Sequence, residues 1–146
     1  MMEIRRSNRK DLKEISNIFR VESSKKPYFQ KWPQRKALKK ITNSFNKDDI
    51  YVYIADKKII GFIICQKNTE KNEIYIDEFW LKSNYQGRGI GKKIMKYIED
   101  DYKKKGFNTI NFMANKKAKA VGFYKKLNYK IKHEFFYMTK KLKFVY

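Results

Sequence analysis

The spacing of apolar residues divides the first third of the chain into one strand and two helices. Residues 3–7 form a short strand candidate. From 8 to 24, apolar residues recur every three or four positions, which predicts an amphipathic helix capped by Ser7, with Pro27 beyond its end. A second helix is predicted from Pro33, because proline suits the first helical turn. Its predicted buried face consists of Leu38, Ile41 and Phe45.

The spacing then changes to that of strands. Residues 49–68 contain two β-rich runs separated by a polar turn at 56–58, which predicts an antiparallel hairpin. Residues 72–83 predict a third strand of the same meander. Helical spacing returns over residues 90–106, and Gly106 suits the left-handed position that ends a helix. The predicted apolar side of this helix consists of Ile90, Ile94, Tyr97, Ile98 and Tyr102.

The last third of the chain predicts a strand, a helix and a β-rich end. Residues 107–114 read as the strand, and residues 116–128 as the helix, with Asn128 where a glycine usually ends a helix. Residues 129–144 predict one or two closing strands. The resulting order, β-α-α-β-β-β-α-β-α-β, indicates an α/β domain built on a mixed sheet.

A glycine-rich turn, QGRGIG at residues 86–91, precedes the helix over 90–106. This turn holds three of the six glycines in the chain, Gly87, Gly89 and Gly91. Glycine allows backbone angles closed to other residues and lets a ligand approach the main chain. The unpaired N–H groups and the dipole of a helix start favour an anion, so the turn predicts a phosphate site. Further positive charge comes from Arg88, Lys92 and Lys93.

Two common phosphate-binding patterns do not fit this turn. The Walker pattern needs four residues between its glycines and Ser or Thr after its lysine, whereas three residues separate Gly87 from Gly91 and Lys93 follows Lys92. The dinucleotide pattern needs a third glycine where this chain has Lys92.

Composition and charge narrow the class of protein. A chain of 146 residues with 42% hydrophobic residues fits one domain, residues 1–146, with one core. It contains no apolar run long enough to span a membrane and no signal peptide at its start, so we expect a soluble, cytoplasmic protein.

Cys65, the only cysteine, lies in an apolar run and is expected to be a buried strand residue. His133 has no Cys or His partner for a metal, so no metal site is predicted.

The formal net charge of +21 admits anionic partners, including nucleic acid. The lysines, however, are scattered as pairs along the whole chain, and amino-acid usage bias alone could produce them. A dedicated nucleic-acid surface is therefore not expected, and whether the charge has a function stays open.

The glycine turn matches the pattern Gln/Arg-x-x-Gly-x-Gly/Ala, and in this respect the sequence resembles the GNAT superfamily of N-acetyltransferases. The resemblance also takes in the strand IYIDEFWLKSNY, the strand INFMA and the segment GFYKKLNY, and it covers residues 48–130. It implies a three-layer α/β fold with helices on both faces of a mixed, mostly antiparallel sheet, which splays between its fourth and fifth strands. The implied function is transfer of the acetyl group of acetyl-CoA to a primary amine by direct attack in a ternary complex.

The same resemblance implies where acetyl-CoA binds. Its pyrophosphate is expected on the glycine turn and its pantetheine arm beside the strand that precedes it, where extended amides add like a further strand. The family often has Asn seven residues before a site tyrosine, but Lys117 stands there, so either Lys117 or Asn115 is expected to contact the cofactor. The implied cofactor-binding residues are Phe79, Trp80, Leu81, Gln86, Gly87, Arg88, Gly89, Ile90, Gly91, Lys92, Asn115 and Lys117.

Three residues are the implied acid and base. Tyr124 matches the family tyrosine that gives a proton to the departing thiolate. Glu78 lies where many GNAT enzymes have their base, and Asp77 where spermidine/spermine N-acetyltransferases have theirs, so the choice between them stays open. Neighbouring side chains of a strand point to opposite faces, so only one enters the site unless a bulge re-aims them.

The acceptor and the assembly are less constrained by the sequence. A polyamine, a small amine or a peptide amine fits the resemblance. A homodimer is possible, with residues 135–146 supplying a sheet edge. The alternative function is a non-catalytic module that binds acyl-CoA or nucleic acid.

Overall fold

A computed structural model describes residues 2–143 of the chain, and its centre is a five-stranded sheet in the order β1-β2-β3-β4-β5. The strands are β1 (Met2–Arg6), β2 (Asp49–Ala55), β3 (Lys58–Asn68), β4 (Glu73–Leu81) and β5 (Thr109–Asn111). The helices are α1 (Leu12–Ser23), α2 (Gln34–Lys47), α3 (Ile90–Lys104) and α4 (Ala120–Lys126). All neighbouring strands are antiparallel except β4 and β5, which are parallel. The predicted α/β class and mixed sheet are confirmed.

Helices cover both faces of the sheet, which gives the three layers. On one face, α1 and α2 pack their apolar stripes on β2 and β3, with Phe19 and Ile41 fully buried. On the other face, Ile94 and Ile98 of α3 pack against apolar residues of the sheet and form a second buried cluster with them. The partly buried aromatic residues of α4 join this second cluster.

Two of the predicted buried positions are wrong. Leu38 and Tyr97 are 38% and 40% exposed, whereas Ala37 and Met95 are buried. Periodicity fixes the existence of an apolar stripe, but the angle at which a helix lies on the sheet decides which residues at its margin are covered.

The cap of the first helical segment also differs from the prediction. A short 3-10 turn, Arg9–Asp11, precedes α1, and Asn8 caps it reciprocally with Asp11. The side chain of Asn8 takes the place predicted for Ser7, and the main-chain N–H of Ser7 donates to the carbonyl of Ile50 at 2.8 Å, which extends the pairing of β1 with β2.

The end of the chain departs most from the sequence prediction. The predicted closing strands are absent from residues 129–143, and residue 144 lies outside the described residues. Phe136 and Tyr137 are 91% and 94% exposed. A strand needs a hydrogen-bonded neighbour as well as a β-rich sequence, and the described chain provides none for this segment. The predicted helix ends nearby are confirmed, because Gly106 and Asn128 have φ of 93° and 69°.

Cys65 lies in the interior of β3 and is fully buried, as predicted. Burial raises the pKa of its thiol to about 12, so it is a structural residue. Within residues 2–143, none of the helices is both long and apolar enough to cross a bilayer.

Candidate functional site

The glycine turn carries a row of unpaired backbone amides into the start of α3. The first helical hydrogen bond runs from Lys93 N–H to the carbonyl of Gly89 at 3.4 Å. The N–H groups of residues 87–92 have no protein acceptor within the described part of the chain. The first turn of α3 contains no acidic side chain and has no side-chain cap. These amides and the positive end of the helix dipole could therefore hold a diphosphate.

The three glycines of this turn are needed for two different reasons. Gly87 and Gly89 both have φ of 76°, a left-handed conformation that strains other residues, although nothing lies within 4 Å of a Cβ placed at either. Gly91 has an ordinary φ, but a Cβ there would lie 3.1 Å from the ring of Phe123 on α4. Two glycines therefore shape the turn, and the third lets α4 pack on the start of α3.

Polar contacts attach the start of the turn, residues 83–86, to its surroundings. Ser83 Oγ donates to the buried Glu22 Oε1 at 2.7 Å, and Lys25 Nζ donates to Ser83 Oγ at 2.7 Å and to Glu22 Oε2 at 3.0 Å. Gln86 Nε2 donates to the carbonyl of Leu81 at 2.8 Å. The chain that leads into the turn is thus held against α1 and the end of β4.

The sheet opens beside the turn because β5 pairs with only part of β4. Glu73, Ile74 and Tyr75 are paired with β5, whereas residues 76–81 of β4 have no β5 partner and, except for Asp77, pair with β3. We call Glu73–Tyr75 the paired half of β4 and residues 76–81 its open half. The predicted splay between the fourth and fifth strands is confirmed.

The direction of the free backbone groups in the open half follows from the ladder. Lys82 N–H donates to the carbonyl of Ile60 at 2.8 Å, and hydrogen-bonded pairs alternate in an antiparallel ladder. The main-chain groups of Trp80 therefore face β3, while those of Phe79 and Leu81 face the opening. The Leu81 carbonyl already accepts from Gln86, so Phe79 and the Leu81 N–H remain for an extended ligand.

A β-bulge in the open half sets the direction of the two carboxylates. Ile64 of β3 pairs with Glu78, and the next residue, Cys65, pairs with Ile76. Asp77 is therefore the extra residue of the bulge. The bulge reverses the alternation of faces along β4. Residues on the α3 face are Ile74 and Ile76 before the bulge, and Phe79 and Leu81 after it.

Both carboxylates of the pair face α2, which the rule of alternation alone does not predict. Lys40 Nζ lies 3.4 Å from Asp77 Oδ2 and 3.5 Å from Glu78 Oε2. Trp80 Nε1 donates to Glu78 Oε1 at 2.7 Å. Burial raises the pKa of Glu78 above its ordinary value, against the lowering effect of Trp80 and Lys40, while Asp77 raises it further. Glu78 is thus a more basic carboxylate than a solvated one.

Tyr124 lies on α4 among aromatic rings beside the open half of β4. Its ring centroid is 6.5 Å from that of Phe79 and 4.3 Å from that of Phe112. Other phenols, such as that of Tyr102, donate to carboxylates, but the hydroxyl of Tyr124 has no partner within residues 2–143. Burial, and secondarily the phenol of Tyr28, raises the pKa of Tyr124 well above its ordinary value. The group therefore stays protonated at neutral pH and is available as a donor.

Comparison with known proteins decides the family. The model of the Acetyltransferase (GNAT) family matches residues 12–129, which is most of the chain. The chain belongs to the GNAT family.

Individual relatives agree with this assignment. An uncharacterized N-acetyltransferase of Methanocaldococcus jannaschii is 29% identical over 93 residues, which are 60% of this chain and 41% of that protein. The chain thus spans less than half the length of that relative.

Solved structures of GNAT proteins share the fold at low sequence identity. A possible acetyltransferase from Clostridium difficile 630 superposes with a TM-score of 0.81 at 17% identity, covering 98% of this chain and 99% of the other. The PaiA N-acetyltransferase from Thermoplasma acidophilum, solved with coenzyme A, gives a TM-score of 0.67 at 22% identity, with 88% of each chain covered.

Two residues that GNAT resemblance singles out lie in the segment between β5 and α4. Lys117 N–H donates to Asn115 Oδ1 at 2.9 Å, and both side chains are exposed. Asn115 therefore uses its acceptor oxygen locally, which leaves its amide N–H groups and the Lys117 ammonium for a ligand. The choice between them stays a prediction.

Sequence reasoning misses Lys40 at this GNAT site, whereas it names Tyr28 either as a wall of the acceptor pocket or as packing between the helix pair and the sheet. Lys40 contacts both carboxylates from α2, and Tyr28 packs edge-on to Trp80 with ring centroids 4.8 Å apart. Lys40 is one of many lysines, and no local pattern separates it from its neighbours.

Cavities and metal ligands do not add a second centre to the described chain. Residues 2–143 contain no cluster of three potential metal ligands. A shallow cavity of about 430 Å³ between α1 and the start of the glycine turn is lined by Glu14, Glu22 and Lys82, among others, but by neither Glu78 nor Tyr124. Glu78 instead faces α2, and Tyr124 packs beside Phe79, both next to the open half of β4.

Proposed function

We propose that this GNAT protein transfers the acetyl group of acetyl-CoA to a primary amine in a ternary complex. The observation that carries the proposal is the row of unpaired amides at residues 87–92, directly beside the open half of β4. A diphosphate on those amides positions the rest of acetyl-CoA along that opening. The coenzyme A complex of the PaiA N-acetyltransferase supports this choice of co-substrate for the shared fold.

The proposed chemistry uses one residue on each side of the opening. Glu78 takes a proton from the acceptor's ammonium, directly or through a water molecule. The amine nitrogen attacks the carbonyl carbon of the thioester, the C–S bond breaks, and the phenol of Tyr124 gives its proton to the departing thiolate. The attacking nitrogen then releases its second proton to solvent, from which the Tyr124 phenolate regains a proton, so that one proton is released overall. Each positioned proton transfer typically contributes about two to four powers of ten in rate.

The raised pKa values of the two groups give the proposed reaction a definite pH profile. Glu78 must be deprotonated and Tyr124 protonated. We expect kcat/KM to rise with pH as Glu78 loses its proton, at a pH above that of a solvated glutamate because burial raises its pKa. At high pH we expect kcat/KM to fall as the free acceptor loses its ammonium proton, at about pH 10, before Tyr124 ionises, because burial raises the pKa of Tyr124 above its ordinary value.

The acceptor is proposed to be a primary ammonium that binds near the carboxylate pair, Asp77 and Glu78. Most alkyl amines have a pKa near that of lysine, about 10, so they arrive protonated and need a base. The net charge of +21 opposes the approach of a polycation at long range, an effect that salt weakens, while the carboxylate pair attracts it locally. A small monoamine, a polyamine, an amino sugar and a peptide amine therefore belong in one assay.

The test has two steps. Calorimetry with acetyl-CoA measures binding, and a panel of amines is then assayed by the release of the coenzyme A thiol. Binding followed by amine-dependent thiol release supports the proposal. Failure to bind at millimolar acetyl-CoA contradicts it, and tight binding without thiol release from any amine favours a non-catalytic acyl-CoA-binding module.

A further inference from the structure

The contact of Lys40 with the carboxylate pair joins two elements that are far apart in sequence. Lys40 on α2 and Asp77 on β4 are 37 positions apart. Its Nζ lies almost equally far from Asp77 Oδ2 and Glu78 Oε2, at 3.4 and 3.5 Å. The three side chains are 16–26% exposed, so solvent screens them only in part.

The remaining contacts fix the ammonium and Glu78 in this arrangement. Lys40 Nζ lies 5.7 Å from the ring centroid of Phe19 on α1, a cation–π distance. Trp80 Nε1 holds the oxygen of Glu78 that does not face Lys40. Both oxygens of Glu78 therefore have a partner, one neutral and one charged.

We propose that Lys40 is a positioning residue that holds Asp77 and Glu78 side by side and keeps Glu78 ionised for its role as base. This inference rests on the proposed function. Two carboxylates placed together by a bulge repel each other, and the shared ammonium offsets that repulsion. Without it, burial and Asp77 both favour the protonated form of Glu78, which cannot accept a proton from the amine.

The groups around Glu78 support Lys40 as the source of this effect. Asp77 and Tyr75 face it from its own strand, β3 presents the apolar Ile64 opposite it, and α1 contributes the ring of Phe19. Asp48, which follows the end of α2, adds a further carboxyl group near the pair, because its pKa is raised by burial and also by the charge of Asp77. Among these groups from residues 2–143, Lys40 is the one cation.

The direct test measures the titration of Glu78 without any substrate. The chain is labelled with ¹³C at the glutamate carboxyl carbon, and the Glu78 signal is assigned by its loss in Glu78→Gln. Lys40→Met is expected to move the titration midpoint of Glu78 to higher pH. Lys39→Met, which removes an exposed charge from the same helix, is expected to leave it in place, and Lys40→Arg is expected to restore it most of the way.

An equal midpoint in Lys40→Met and Lys39→Met overturns the proposal. Lys40→Gln gives the same comparison should methionine disturb the packing of α2, and a thermal melt of each variant checks the fold. The kinetic counterpart is a shift of the acidic limb of kcat/KM to higher pH in Lys40→Met. The carboxyl titration reports on the Lys40 contact whatever reaction the protein performs, so absence of amine acetylation contradicts the proposed function while the midpoint still decides the role of Lys40.

Discussion

The two halves of β4 share one strand but differ in what lies at their outer edge. The paired half, Glu73–Tyr75, has β3 on one side and β5 on the other, and it places Ile74 fully inside the core. The open half has β3 alone, contains the bulge, and carries both carboxylates and the unpaired groups beside α3. The comparison teaches that the candidate chemistry begins where the pairing of β4 with β5 ends, because the backbone groups on that side of β4 then lack a strand partner and are available to a ligand.

The largest expected effect comes from the carboxylate of the open half. Glu78→Gln is expected to lower kcat by about 10²–10⁴-fold with the best amine of the panel, because the amide cannot accept the proton. Its matched control is Glu73→Gln in the paired half, which is expected to leave kcat unchanged. Steady-state kinetics measure kcat of both variants, and a thermal melt checks that both are folded. Equal turnover in the two variants would exclude Glu78 as the base.

A substitution in the paired half is expected to lower stability and to leave turnover unchanged. Ile74→Ala deletes a fully buried side chain and is expected to lower the free energy of unfolding by about 2–5 kcal/mol. Kinetic constants of the folded fraction are expected to stay close to those of the wild type. Urea denaturation and kinetics at low temperature check this, and a loss of turnover without a loss of stability would contradict the division of β4.

Tyr124→Phe tests the opposite wall of the opening. Turnover is expected to fall by about 10²-fold, the lower end for a positioned acid, because a thiolate is already a good leaving group. Affinity for acetyl-CoA is expected to change little. Stability is also expected to persist, since the lost hydroxyl has no partner within residues 2–143. Turnover equal to that of the wild type would exclude Tyr124 as the acid.

Substituting two glycines that both have a left-handed conformation, one in the turn and one outside it, distinguishes the effect of backbone strain from an effect on ligand binding. Gly89→Ala and Gly106→Ala each place a Cβ at a positive φ, 76° and 93°, and each is expected to cost about 1–2 kcal/mol of stability. Gly89→Ala is also expected to weaken coenzyme A binding, because it distorts the amides at the start of α3. Calorimetry with coenzyme A distinguishes them, and equal affinity in the two variants would argue against the turn as the phosphate site.

Local features of this molecule were predictable from sequence, whereas features that depend on a distant partner were not. The glycine turn, α3 and the left-handed ends at Gly106 and Asn128 follow from the residues in place. The bulge at Asp77 depends on how β4 registers with β3, so the sequence offered it only as an exception to alternation.

Lys40 and the end of the chain show this limit of sequence-based prediction in two ways: one contact was not predicted, and the predicted closing strands do not form within residues 129–143. Lys40 reaches the carboxylates across 37 positions, and no local pattern marks that contact. Residues 129–143 have the composition of strands, yet they form none, because pairing is a property of two segments and not of one.

The central claim is that the amides of the glycine turn bind a diphosphate, and the six glycines of the chain allow a direct test. With ¹⁵N incorporated only at glycine, the amide spectrum contains six signals, three from the turn and three from Gly61, Gly106 and Gly122. On titration with coenzyme A, the signals of Gly87, Gly89 and Gly91 are expected to shift together while those of Gly61 and Gly106 stay in place. Saturable shifts at Gly61 or Gly106 with the turn unchanged, or no shift at millimolar coenzyme A, would contradict the account.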